Sequence, residues 1–372
     1  MSFLFPFLRP KYTICHARPT EPIAFPKDDA AHYWAQSEWW YYNGRLTDQH
    51  GRAFGFELTF FKRITSEDNA PFLLIPAHWL RDACMFSHFA VTDLQKKRFI
   101  YKTNHNLFRT WRADPDDYHV AVADWSARKL NGVHSLSASM KEYRIDLWLV
   151  PKKEPVFHED MGIVVKGGEN ANYYYSYSHM DVGGTITIDR QSNPVTGKAW
   201  MDHEYGTISI GKHLKGWDWF GIHFDDDSEL MVARMRDSSD VPVKTFGTYI
   251  DREGTVSRLP DSDLVIDTKT LWYSDKTHAH YPAAWQIRVR PLGLILDIRP
   301  LVAEQELVTR PIPYWEGIVG VTGSRGATLI TGHGYVELVG YSNKSSFEKY
   351  FKWISENSGP NAARKAAGVQ SR

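Results

Sequence analysis

From Glu38 to Gly340 the apolar positions of this chain recur with a period of two, the signature of strands with two unlike faces. Glu38, Trp40 and Tyr42 share one face, with Trp39, Tyr41 and Asn43 on the other. After the turn Asp48-Gln49-His50-Gly51, the set Phe54, Phe56, Leu58 and Phe60 alternates with Gly55, Glu57, Thr59 and Phe61, which predicts a hairpin. Further strands are predicted over 86–93, 98–101, 118–125, 134–141, 143–150, 173–178 and 184–190, and Asn193-Pro194-Val195-Thr196-Gly197 reads as a turn. The pattern then restarts. Trp217, Trp219, Gly221 and His223 alternate with Asp218, Phe220, Ile222 and Phe224, and strands follow over 229–235, 244–251, 271–273, 284–290, 294–301, 316–322 and 333–340. Each half opens with a ring-rich strand, a turn, and then a Glu-Leu strand with a basic end, Glu57 to Arg63 and Glu229 to Arg236. Many short strands separated by turns indicate an all-β protein of antiparallel barrel or sandwich type.

Two segments depart from the strand period. Residues 1–30 are proline-rich and aperiodic, an irregular arm. Near the other end Ser345-Ser346-Phe347-Glu348 is a capping box, and Phe347, Tyr350, Phe351 and Ile354 follow helical spacing up to Gly359-Pro360. The expected organisation is therefore an arm over 1–30, one domain over 31–206, a second over 207–358 that includes a terminal helix, and a disordered tail over 359–372.

Composition narrows the function classes. The 44 Lys+Arg balance 44 Asp+Glu, so net charge carries no argument for nucleic acid or an anionic membrane. Mean hydropathy is −0.43 and no apolar run approaches the roughly 20 residues of a membrane helix. The apolar run Ser2 to Leu8 is short and broken by Arg9-Pro10-Lys11, so the chain is expected to be cytoplasmic. Rings are abundant, at 14 Trp, 19 Tyr and 19 Phe, as suits both strands and a ring-lined pocket.

The candidate chemistry concentrates in Gly197-Lys198-Ala199-Trp200-Met201-Asp202-His203-Glu204-Tyr205-Gly206. Two carboxylates and an imidazole among large rings form a plausible proton-transfer group in a poorly hydrated place. On a strand, however, Asp202 and Glu204 share one face while His203 and Tyr205 share the other, so only one pair can enter a given pocket. The plain structural alternative is that Asp202 caps a turn and Glu204 binds backbone at a domain junction. Glu38 and Glu57 are expected to be buried partners of Arg45 or Arg63. His78, His88, His158 and His179 lack ligand spacing, His158-Glu159-Asp160 reads as a solvated turn, and no metal is expected. Neither a glycine-rich phosphate loop nor a GxSxG elbow is present.

Four segments together resemble the AttH-like, carotenoid-hydratase (hydroxyneurosporene synthase) family. They are Glu38 to Leu46, Ala199 to Gly206, Gly216 to Phe220, and Pro313 to Gly317 with Gly332 to Tyr341. The resemblance implies two lipocalin-like (calycin) antiparallel β-barrel domains, the second closed by C-terminal elements, and a lipophilic small-molecule substrate. In the carotenoid hydratases an essential aspartate lies two residues after an aromatic, places held here by Trp200 and Asp202. Those hydratases carry a tyrosine at the Trp200 place and no His-Glu pair after the aspartate. Asp202 is thus the expected acid, with His203 and Glu204 as candidates to position water or return a proton. Trp40, Tyr42, Tyr175, Tyr177, Trp200, Tyr205, Trp217 and Trp219 are the candidate substrate wall. The expected activity is cofactor-independent acid catalysis on an unsaturated isoprenoid or polyketide-like molecule, most simply hydration of C=C. A cyclase or pericyclase, and a non-catalytic carrier of a lipophile, are the alternatives.

Overall fold

A computed structural model describes residues 21–64, 71–72, 75–76, 83–106, 110–165, 171–207, 214–309 and 312–342. Two curled antiparallel sheets make up nearly all of it. The first contains β1 (Ser37–Asp48), β2 (Ala53–Ile64), β3 (Ala83–Asp93), β4 (Arg98–Asn106), β5 (Trp111–Ala113), β6 (His119–Val122), β7 (Trp125–Leu130), β8 (Val133–Ser139), β9 (Tyr143–Pro151), β10 (Ala171–Ile188) and β11 (Gln191–Gly206). Their order across the sheet is β4-β3-β2-β1-β11-β10-β9-β8-β7-β6-β5. The second sheet contains β12 (Gly216–Phe224), β13 (Glu229–Arg236), β14 (Pro242–Ile250), β15 (Val256–Pro260), β16 (Leu264–Tyr273), β17 (His280–Val289), β18 (Leu294–Pro300), β19 (Tyr314–Arg325) and β20 (Thr328–Val339). Its order is β15-β14-β13-β12-β20-β19-β18-β17-β16. In both, the opening strand lies between the second strand and the last one, which is the structural form of the weak internal similarity between Glu57–Arg63 and Glu229–Arg236. The expected C-terminal helix lies outside the described residues.

Each sheet curls around its own apolar interior. Trp40, Tyr42, Phe54, Phe56, Leu58 and Phe60 fill the first, and Phe220, Ile222, Trp285, Leu296, Trp315 and Val336 fill the second. Strand alternation then turns the other faces of β1, β2, β10 and β11 against the outer faces of β12, β13, β19 and β20. A third buried cluster results, with Tyr41, Tyr174, Trp200, Trp219, Met231, Ile318 and Tyr335 along the seam. Polar bonds cross this seam as well: Tyr41 donates to Glu316 (2.6 Å), Thr92 to Gln305 (2.8 Å) and Trp219 to the Tyr174 oxygen (2.9 Å).

Two sequence expectations are corrected by the sheet. The Asn193–Gly197 segment is not a turn. The reversal falls at Asp189-Arg190, both with positive φ, and β11 runs unbroken from Gln191 to Gly206. Pro194 is tolerated because its neighbours are extended, the backbone that proline favours. Segments 173–178 and 184–190 likewise merge into β10, with a register shift between Tyr177 and Met180 opposite Met201 and Ala199. That bulge keeps Tyr177 and Met180 in the barrel while His179 reaches Glu229 across the seam (2.7 Å).

Close approach of the sheets depends on Gly55. A Cβ there would lie 2.4 Å from the Tyr335 hydroxyl and 3.1 Å from Ile318 Cβ. Gly55→Val should therefore lower stability by about 1–3 kcal/mol through overpacking. Urea unfolding checks this, and an unchanged midpoint would show that the seam is looser than described.

Candidate functional site

β11 divides the predicted site residues between two environments. Trp200, Asp202 and Glu204 point into the seam, whereas His203 and Tyr205 point into the first barrel. Trp40, Tyr42, Tyr175 and Tyr177 join His203 in the barrel, and Trp217 and Trp219 join Asp202 at the seam. The proposed trio of Asp202, His203 and Glu204 is thus not one cluster.

In the barrel, Glu38 is the hub. Its carboxylate binds Lys62 (2.9 Å), His32 Nδ1 (2.9 Å) and His203 Nε2 (2.8 Å), all buried. Its partners are therefore not Arg45 or Arg63. Those alternate to faces or edges away from it, while Lys62 is its direct partner across the β1–β2 pair. Burial opposes ionisation of Glu38, yet the charges of Lys62 and His32 and the His203 bond hold its carboxyl below the ordinary range. His203 Nδ1 meets the Tyr175 hydroxyl (2.9 Å), Tyr175 donates to Asp29 (3.0 Å), and Asp29 pairs with Lys129 (2.7 Å), which also donates to Tyr177 (2.6 Å). Lys129 and Tyr177 border a cavity of about 680 Å³ at the barrel mouth, with Phe25, Val150, Pro155 and Arg252. His32, Glu38 and His203 each present a ligand atom within 4.8 Å of the others, a spacing that a metal ion could use. Their donors already bind one another, Lys62 and Asp28, so a metal would have to displace an ammonium group.

The seam holds a different chemistry. Asp202 Oδ1 accepts from Trp200 Nε1 (2.6 Å) and from Ser176, and Oδ2 accepts from Tyr174 (2.7 Å). No cation faces it. Burial pushes its carboxyl up to about 7, against those three hydrogen bonds and with the Glu204 charge adding to the rise. Glu204 itself accepts from Asn172 Nδ2 (2.7 Å). Glu316 and Glu57 are also buried there. Desolvation, with the charge of Glu337, drives both carboxyls well above the ordinary range.

Four seam residues went unrecognised in the sequence: Tyr174, Ser176, His158 and Thr248. His158 is fully buried rather than in a solvated turn. The short strand Val156–Phe157 pairs with β10 and brings the His158 ring against Tyr174, at 4.1 Å between centroids. Tyr174 and Ser176 were legible by parity, since they lie directly opposite Glu204 and Asp202 on β10. His88, also buried, bonds Tyr314 across the seam (2.8 Å), and His179 bonds Glu229. His78 lies outside the described residues.

Comparison with known proteins places this architecture. The AttH-like family signature matches residues 16–341. The chain belongs to the AttH-like family. A putative AttH from Nitrosomonas europaea has a similar structure, with a TM-score of 0.79 and 26% identity over 88% of this chain and 100% of that one. Kievitone hydratase from Nectria haematococca shares the fold at a TM-score of 0.69 and 14% identity, covering 90% and 98% of the two chains. CghA, solved with Sch210972, shares it at 0.58 and 12%, covering 90% and 98%. In sequence, the dehydratase AsqC of Emericella nidulans is 23% identical over 217 residues, 55% of this chain and 60% of that protein. Among the described residues of this AttH-like chain, no helix is long and apolar enough to cross a membrane.

The two clusters predict opposite pH effects. The raised carboxyl of Asp202 binds its proton more tightly folded than unfolded, so it makes stability fall as pH rises from about 4 to about 7, and the raised carboxyls of Glu57 and Glu316 act in the same direction. Glu38, held low, contributes stability above its unfolded value that is lost as pH falls below about 4. Asp202→Asn should flatten the fall between pH 5 and 8 in urea unfolding. Lys62→Met should cost about 3–5 kcal/mol at neutral pH by leaving buried Glu38 with only its two imidazole partners, and a loss under about 1 kcal/mol would argue against a buried ion network.

Proposed function

We propose that this protein is an enzyme of the hydro-lyase or cyclase kind that acts on a lipophilic, unsaturated small molecule, with Asp202 as its acid. The observation that carries this reading is the buried Asp202 carboxyl, which has no cation partner, is raised to about 7 by desolvation, and sits among Trp200, Tyr174 and Trp219. A carboxylic acid poised near neutrality can donate a proton and accept it back at the same pH. In hydration, the Asp202 proton would add to one alkene carbon and leave a cation on the other. Water would then add to that cation, and its surplus proton would return to the Asp202 carboxylate. Ring faces stabilise a nearby cation by about 0.5–2 kcal/mol each. Dehydration is the same sequence reversed; in cyclisation a second double bond of the substrate adds to the cation in place of water, and the ring cation then loses a C–H proton to the Asp202 carboxylate and closes to an alkene. The hydratase and dehydratase among its relatives support this class of chemistry, as does membership of the AttH-like family.

A second reading has its own observation. The cavity beside Lys129 and Tyr177 is lined from both sheets, by residues 129, 131–133 and 150–155 of the first and 252–254 of the second, does not include Asp202, and has the volume to hold a small molecule without chemistry. Mass spectrometry of what co-purifies, followed by assay of that compound and its hydrated and dehydrated forms, separates the two. Asp202→Asn should lower turnover about 10²–10⁴-fold with affinity retained, the usual weight of a general acid. Unchanged turnover would overturn the acid assignment, and retention of an unaltered lipophile by the active-site variant and the parent alike would favour carriage.

A further inference from the structure

Both oxygens of Asp202 are tied to the second sheet, by different routes. Oδ2 accepts from Tyr174, whose oxygen accepts from Trp219 Nε1 of β12. Oδ1 meets Ser176, Ser176 Oγ meets His158 Nε2 (2.7 Å), and His158 Nδ1 meets the Thr248 hydroxyl of β14 (2.9 Å). Ser176, His158 and Thr248 are each no more than 1% exposed, so no water competes for these bonds. Burial holds the His158 imidazole down to about 3, and it therefore carries one ring proton at neutral pH.

The direction of this chain follows from Trp200. An indole N–H is a donor only, and it is aimed at Oδ1 (2.6 Å), which makes Oδ1 the accepting, carbonyl-like oxygen. Ser176 has one hydroxyl proton, and giving it to Oδ1 leaves Ser176 Oγ as the acceptor for His158. The imidazole must then carry its proton on Nε2, and Nδ1 must accept from Thr248. We propose that Thr248, His158 and Ser176 are positioning residues that form a one-way donor chain ending on Asp202 Oδ1, which confines the acid proton to Oδ2 and strengthens the acid. On the Oδ1 side the second domain thereby acts on the acid of the first through the His158 imidazole. Hydrogen bonds in a row polarise one another in a poorly screened site, so the Ser176 hydroxyl is a better donor with His158 behind it.

This inference rests on Asp202 as the acid, but its test reads protonation rather than turnover. The titratable groups facing Asp202 are Glu204 on its own strand, Tyr174 on β10, His158 behind Ser176, and Glu316 across the seam. In protein carrying ¹³C-aspartate and ¹⁵N-histidine, NMR follows the Asp202 carboxyl, assigned by its loss in Asp202→Asn, and the His158 ring, assigned by its loss in His158→Phe. The expected result is an Nε2–H tautomer for His158 on both sides of the Asp202 titration. Ser176→Ala should raise the Asp202 midpoint by about one pH unit, the scale of one hydrogen bond to a charged group. The near-isosteric Thr248→Val and His158→Phe should raise it by smaller steps, and Ser176→Thr should restore it. An Nδ1–H tautomer, or a midpoint that falls when His158 is replaced, would show Ser176 donating to His158 and overturn the proposal. Midpoints unmoved by both Thr248→Val and His158→Phe would overturn it too. If Asp202→Asn keeps full turnover while the midpoints shift as expected, the acid assignment fails and the donor chain stands. If turnover is lost but the midpoints stay, the chain alone fails.

Discussion

The two-residue period of β11 is the constraint on which the functional architecture depends. One strand contributes alternately to two cores, so neighbours in sequence lie in unlike surroundings. Asp202 faces the neutral donors Trp200, Tyr174 and Ser176, and His203 faces an interior built around Glu38 and Lys62. Backbone pairing to β1 and β10 on both sides locks this register, since a slip by one residue would exchange the two environments.

The same burial acts with opposite sign in the two places. Around Glu38, an ammonium and two imidazoles offset the cost of desolvating a carboxylate, and the group stays ionised. The donors bonded to Asp202 are neutral, and three hydrogen bonds do not match its desolvation. Glu57 and Glu316 share that fate, with Glu337 adding repulsion. A ring-lined site of neutral donors between two barrels is therefore a device for keeping the Asp202 carboxyl protonated up to about neutral pH. Such an interface needs two sheets in close contact, which Gly55 permits by leaving room for Tyr335 and Ile318.

Much of this was legible along the chain. Alternation placed Trp40 and Tyr42 with Glu38 and separated Asp202 from His203, because strand parity is a local property that tertiary contacts rarely change. The strands over 143–150, 217–224 and 229–235 fall within one or two residues of those observed. The exceptions have specific causes. Pro194 and Gly197 imitate a turn, but Asp189 and Arg190 make it, with the positive φ that a tight reversal demands. His158 beside two acids resembles solvated chain, and only the pairing of Val156–Phe157 with β10 carries it under the sheet.

By itself, the sequence determined the strand period, the repetition of an opening hairpin in each half, and the assignment of Asp202 and Glu204 to one face of β11 and of His203 and Tyr205 to the other. These follow from local sterics and hydrophobic alternation. Tertiary structure alone decided what each face meets: Lys62 rather than an arginine for Glu38, and for Asp202 a neutral seam closed by Trp219 and Thr248, some 17 and 46 residues further along the chain. Those partners come from separate strands of two sheets, and whether a carboxyl is ionised depends on the solvent and charge around it in space.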